Sequence, residues 1–482
     1  MTIDTDPPAL PVVPPVKSDQ PDTRRAGSVF AGAYLLTSIG ALALVFLGAF
    51  ESLAVTTVMP VVSRDLDGAS LYAMAFAAPL AMGVIGMVVA GSWADRSGPG
   101  KPLYLSATVF AVGLVIAGTA GSMGILVLGR LVQGLGSGAI TVSLYVLVAR
   151  VYPATLHPKI FGYFAAAWAI PSLVGPALAG FVAEVASWHW VFLGVVGLVP
   201  IAVALVVPAV RQLTDAPVPA DRVRAPWDLS RLAWATVAAV AVLILGYAKE
   251  FHGFTAWLLP VLAGATAVVA ARGLLPGGTL LARHGLPSVI AVRGLVSAAF
   301  FGAEIYLPYL LTDRYQLTPT VAGLALTGAA LAWATASWAQ GKLGTRLTDV
   351  TSIRIGAVLL LFSIALVLVT ALVHLPAFVA VVGWVFSGAG MGLMSPRLSS
   401  LTLAYSNSNN QGFNSSAMSI ADSFGASLSL AATGIVFGLL VTAGGAWSFV
   451  GSFALTLLFV GSALLFGGRV SGRNREFSRP TG

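Results

Sequence analysis

Three carboxylates and one guanidinium stand where charge is least welcome. Glu51, Glu304 and Asp422 lie inside long apolar runs, and Arg130 lies in another. A charged group at the centre of a membrane helix costs about 2.5 to 3.5 kcal/mol even on the lenient insertion scale, so each is read as a functional residue that needs a partner. Glu51 comes nine residues before Pro60, and Arg130 seven after Met123. At about 1.5 Å of rise per residue those are depths of roughly 13 and 10 Å below one membrane face, so the two charges share a layer and can pair. Desolvation favours the neutral acid and a neighbouring guanidinium favours the carboxylate. Movement of Glu51 relative to Arg130 would then act as a proton switch; an ion pair that serves structure alone is the competing reading.

The remaining acids extend the pattern. Gly302-Ala303-Glu304 echoes Gly48-Ala49-Phe50-Glu51, and Asp422, flanked by Ser423 and Gly425, lies about ten residues into its run. Excess carboxylate in a cavity would attract lipophilic cations, although Asp422 serves helix packing equally well on sequence alone. Phe50, Tyr145, Trp168, Phe301 and Tyr306 lie near these levels and offer faces to an organic cation. Each alone also fits a packed or lipid-facing aromatic.

Positioning such charges requires a membrane bundle. Of 482 residues, 57% are hydrophobic and 9% charged, against roughly 25% charged in a soluble domain. Apolar segments long enough to cross about 30 Å of hydrocarbon recur along the chain: 36–60, 68–94, 103–122, 123–149, 160–183, 188–210, 232–248, 253–271, 288–311, 318–339, 353–373, 375–396, 412–438 and 446–467. Their length and their Gly and Ala content predict an all-α polytopic protein over a barrel, whose strands show only short alternating patterns.

Fourteen spans with the N-terminus inside put most of the 26 basic residues in cytoplasmic segments. Arg64, Lys249 and Arg314 face out, and Arg130 and Arg293 lie within or at the edge of runs. The net charge of +8 is thus mainly a topology signal, and nucleic acid is not an expected partner. The division expected is a disordered tail over 1–27, a six-helix bundle over 28–210, a linker over 211–231, two extra helices over 232–271, a loop over 272–287, a second six-helix bundle over 288–467 and a basic tail over 468–482. Charge bias does not separate twelve spans from fourteen; the lengths of 232–248 and 253–271 favour fourteen. Residues 1–27 lack a cleavable signal pattern, so the first span is expected to direct insertion itself. Zero cysteines exclude disulfides and cysteine metal sites.

Four stretches carry a family likeness. Gly91, Ala94, Asp95, Arg96 and Gly98 resemble the loop signature G-x-L-a-D-R-x-G-r-k of the major facilitator superfamily, with Pro99 and Gly100 where basic residues are usual and Lys101 one position late. Arg130, Gln133, Gly134, Gly136 and Gly138 are similar to its R-x-x-Q-G-x-G-x-G pattern. Gly175, Pro176 and Gly180 resemble the antiporter motif G-x-x-x-G-P-x-x-G-G, with Pro171 and Ala179 in place of two glycines. Glu51 and Pro60 keep the spacing of the L-D-x-T-v-v-n-v-A-l-P pattern of the fourteen-span drug:H+ antiporters.

That resemblance implies two related six-helix halves about a central cavity, with Glu51 and Glu304 facing each other across it. It further implies a cytoplasmic latch at Asp95 and Arg96, whose alternative is a solvated loop. The expected protein exports amphipathic, cationic small molecules in exchange for protons. It needs no cofactor beyond the proton gradient, works as a monomer in the cell membrane and has both termini in the cytoplasm. Export of a lipid or endogenous metabolite by the same mechanism is the nearest alternative. A non-transporting sensor or membrane enzyme is another class; no nucleophile motif, phosphate loop or metal-spaced cluster among five His supports it.

Overall fold

The computed structural model describes residues 28–68, 71–215, 229–246, 254–317, 319–343, 346–440 and 446–471. The tail 1–27, most of the linker, Lys249 and the chain beyond 471 lie outside the described residues, as do the side chains of Pro60 and Pro176.

Each expected apolar run is mainly helical over its described residues. The helices are α1 Gly32–Asp65, α2 Tyr72–Ser97, α3 Gly100–Gly118, α4 Met123–Val151, α5 His157–Ala166, α6 Ala169–Val185, α7 His189–Asp215, α8 Leu229–Gly246, α9 Thr255–Leu274, α10 Leu286–Glu304, α11 Tyr306–Tyr315, α12 Pro319–Leu343, α13 Asp349–Val373, α14 Ala377–Ala404, α15 Gln411–Leu440 and α16 Trp447–Phe466. Among the described residues, ten helical stretches are long and apolar enough to cross a membrane; α8 and α9 contribute shorter apolar helices.

Two of the expected runs are interrupted by a turn, and 288–311 still lies within one apolar helical stretch, Leu286–Tyr315. The run 160–183 divides into α5 and α6, and 288–311 into α10 and α11. A proline lacks the N–H that would bond the carbonyl four residues back. Pro171 withholds that donor from Ala167 and Pro308 from Glu304, and these are the places where the helices interrupt. Glu304 therefore ends α10.

The two halves pack alike. In the first, α4 lies against α2 and α3, and α1 against α6 and α7; in the second, α14 lies against α12 and α13, and α10 against α15 and α16. The same glycine ridge makes both central crossings possible. A Cβ on Gly134 or Gly138 would collide with the backbone of Pro79 or Gly83 of α2, and one on Gly388 or Gly392 with that of Ala329 or Trp333 of α12. Backbones this close exclude any side chain. The ridges also set the correspondence: Pro79 answers to Ala329, Gly83 to Trp333 and Arg130 to Trp384.

The halves meet along two seams, α2 against α15 and α5 against α12. Helices α8 and α9 pair with each other, α8 on α2 and α9 on α15, so the inserted pair covers the first seam. An apolar cluster fills it, with Val84 and Val88 of α2, Val242 of α8, Leu274 of α9 and Met418 and Phe424 of α15. Separate clusters fill each half.

Candidate functional site

Pro79 sets up the first ion pair. It leaves the carbonyl of Ala75 without its helical donor, and Arg130 Nε supplies one at 3.0 Å. Arg130 Nη1 donates to Glu51 Oε1 and, at 2.7 Å, to Gln133 Oε1. Glu51 is 4% and Arg130 5% exposed, so the pair is sealed among α1, α2 and α4. The structure thus joins the two residues that depth arithmetic places in one layer, and the sealed Glu51 faces Arg130, not Glu304.

Glu304 has a different setting. No hydrogen bond or ion pair reaches it among the described residues, because Trp384 stands in α14 where Arg130 stands in α4. Trp384 stacks on Phe300 with centroids 5.6 Å apart, and Trp333 meets Phe300 edge-on at 5.2 Å. Aromatic packing occupies the layer that the ion pair occupies in the first half.

A second ion pair joins α10 to α15, and its basic member was not singled out from sequence. Arg293 Nε donates to Asp422 Oδ1 at 2.7 Å and Nη2 to Oδ2 at 3.1 Å. The Ser297 hydroxyl donates to the same carboxylate. Asp422 is therefore a neutralised partner in a bidentate fork and not an additional free carboxylate. Arg293 lies seven residues from the start of α10, and an unmatched Arg inside an apolar run next to an unmatched Asp was the available signal. Tyr145, from the other half, lies near this pair and Ser399, and packs edge-on to Phe161 at 4.9 Å.

Four of the five expected cavity aromatics each have their own packing neighbours. Phe50 stacks on Phe46 at 6.3 Å and lies against Gly175 of α6. Tyr306 stacks on Phe437 at 5.1 Å inside the second half, and Phe301 meets Phe300 edge-on at 5.2 Å. Trp168 is 48% exposed at the α5–α6 break. In the α6 motif Pro171 lies in the first turn of the helix, Gly175 permits the Phe50 contact, and Gly180 has open space beside it.

The stretch expected as a loop continues α2 to Ser97, and its last turns close one end of the first seam. Asp95 Oδ1 accepts from Gly412 N–H at 2.6 Å and Oδ2 from Phe413 N–H at 2.9 Å, a carboxylate capping the first turn of α15. Gly91 makes the approach possible, since a Cβ there would lie 2.6 Å from the carbonyl of Gly412. Gly98 turns the chain at φ +86°. Arg150 Nη2 donates to Ala94 O at 3.0 Å and to Ser408 O at 3.4 Å, and Arg231 of α8 lies 3.6 Å over the Phe413 ring. Arg96 sits in the last turn of α2. Asp95 thus clasps α15 as expected, and Arg150 and Arg231, two arginines that sequence spacing did not point to, lie beside it.

Paired helical halves of this kind, with buried charges at their helix crossings, define a polytopic membrane transporter. The Major Facilitator Superfamily profile matches residues 40–428, and the chain belongs to that superfamily. Its members are transport proteins, not enzymes, and bind small-molecule substrates within the membrane. The chain is similar to the multidrug efflux pump SdrM of Staphylococcus aureus (strain N315), 23% identical over 72% of this chain and 77% of the pump. It also resembles the acurin A biosynthesis cluster MFS-type transporter of Aspergillus aculeatus, 26% identical over 62% of this chain, and spans 56% of that protein's length. The fold matches the proton:xylose symporter XylE at a TM-score of 0.63 and 16% identity, covering 90% of this chain and 96% of the symporter. It matches the human organic anion transporter MFSD10 at 0.65 and 13%, covering 90% and 99%.

Proposed function

We propose that the chain is a proton-driven exporter of amphipathic, cationic small molecules, crossing the cell membrane fourteen times with both termini in the cytoplasm. The observation that carries this reading is the Glu51–Arg130 pair, buried at the end of the bundle away from the Asp95 clasp. In this reading the clasp is cytoplasmic and the structure represents the state closed on that side. A proton arriving from outside neutralises Glu51 and frees Arg130, which keeps its bonds to α2 and Gln133. The electrostatic tie between α1 and α4 is lost, and the first half can repack against the second. The similarity to SdrM supports drug export. The protein is taken to act as a monomer without a bound cofactor.

Purified protein in proteoliposomes is expected to release protons against substrate uptake, with Glu51→Gln abolishing the coupling. Coupled exchange that survives this substitution would sink the assignment of Glu51. Export of an endogenous metabolite is the second reading, supported by the likeness to a transporter of a biosynthesis cluster. Accumulation of a native compound in a deletion strain whose drug sensitivity is unchanged would favour it.

A further inference from the structure

The two seams close with opposite chemistry. At the Asp95 end of the first, a carboxylate caps α15. The glycine ridges carry the comparison to the second: Gly91 lies eight residues after Gly83, and Gly341 eight after Trp333. Gly341 again marks the close approach, with its Cβ position 3.4 Å from Lys159 Cα on α5. Four residues further on, however, the chain has Thr345 where the first half has Asp95. Thr345 lies outside the described residues, and the sequence offers no acid at that position.

In its place is a cavity of about 240 Å³ with two lysines. Lys159 of α5 and Lys342 of α12 line it with Tyr163, Ser337, Trp338 and Ser28. None of these lining residues is acidic, and neither lysine forms an ion pair among the described residues. Lys342 Nζ lies 3.7 Å from the centroid of the Trp338 ring, which does not neutralise it. Two ammonium groups brought to one narrow seam repel, so closure here is opposed unless an anion enters. The rim is aromatic: Trp338 is 47% and Phe30 37% exposed, and Phe30 meets Tyr163 edge-on at 5.0 Å. Exposed aromatics beside lysines are the side chains found at headgroup depth.

We propose that this pocket binds a phosphate-bearing anion, supplied by the headgroup of an anionic phospholipid, which bridges α5 and α12 as Asp95 bridges α2 and α15. The cytoplasmic placement of the pocket rests on the topology proposed above; the anion chemistry rests on the two lysines alone. The lipid then favours the state closed at this end.

The full-length protein would be placed in nanodiscs of phosphatidylcholine with and without phosphatidylglycerol, and its thermal midpoint measured. Phosphatidylglycerol is expected to raise the midpoint by several degrees. Lys159→Gln with Lys342→Gln should remove the shift, Lys159→Arg with Lys342→Arg should retain it, and binding should weaken by roughly fivefold per lysine removed. A parallel titration with inorganic phosphate at fixed ionic strength separates the sources. Protection by phosphate with none from phosphatidylglycerol would overturn the lipid source, and a phosphatidylglycerol shift that survives the double glutamine variant would overturn the site. Because transport is not the readout, the outcome is independent of whether Glu51 carries the proton.

Discussion

Arg130 pairs with a buried carboxylate of another helix and Arg293 with a part-buried one, and this makes them brittle points. Removing one partner of a buried pair leaves a desolvated charge and costs about 3 to 5 kcal/mol, whereas replacing both with apolar groups is often neutral. Arg293→Met alone is therefore expected to lower the unfolding midpoint of detergent-solubilised protein sharply, and Arg293→Met with Asp422→Leu to recover most of the loss. Additive losses in the two variants would show that the pair is not coupled. His157, at the start of α5, gives a pH dependence. Its Nε2 meets the carbonyl of Tyr152 at 2.9 Å, and burial pushes its pKa below the usual 6.5, with that hydrogen bond opposing the shift. The unfolded chain then binds the proton more readily, so this contribution is whole above pH 6.5 and is lost as pH falls. His157→Gln should flatten the acid side of a thermal-stability profile, and an unchanged profile would count against that role.

At the scale of elements, glycine and proline decide more than hydropathy does. Gly138→Ala and Gly392→Ala each place a methyl against backbone of α2 or α12, and each is expected to cost about 1 to 3 kcal/mol in thermal unfolding. Gly180→Ala, with nothing within 4 Å, should be neutral. Equal behaviour of the three would remove the argument for a shared ridge. The helices were legible in sequence because a run of apolar residues leaves the backbone no partner but itself. Their interruptions were not, although Pro171 and Pro308 were in plain view. A hydropathy run registers side-chain polarity and is blind to one missing N–H, so α5–α6 and α10–α11 each read as a single helix. The same kind of backbone vacancy, at Ala75 below Pro79, is what Arg130 fills. The inserted pair, expected as two spans of their own, also brings Arg231 onto Phe413 and so joins α8 to the clasp.

Across the whole molecule the two seams are the moving parts of the proposed cycle. The absence of native cysteine permits a direct test. Lys159→Cys with Gly341→Cys joins positions in van der Waals contact across the α5–α12 seam. Oxidation is expected to form the disulfide and stop transport in proteoliposomes, and reduction to restore it. Full transport by the cross-linked protein would show that this seam does not open.

Sequence alone determined that the chain is a helical membrane protein with a few buried charges, and that Glu51 and Arg130 share a depth. Both follow from local physics, the cost of unpaired backbone in lipid and the fixed rise of a helix. Tertiary structure decided which charges meet. Asp422 is matched by Arg293, Glu304 faces a layer where tryptophan has replaced arginine, and Asp95 caps a helix more than three hundred residues away in the chain. Those outcomes depend on which helices cross and which face each turns inward, and such choices are made by packing between distant segments that no stretch of sequence contains.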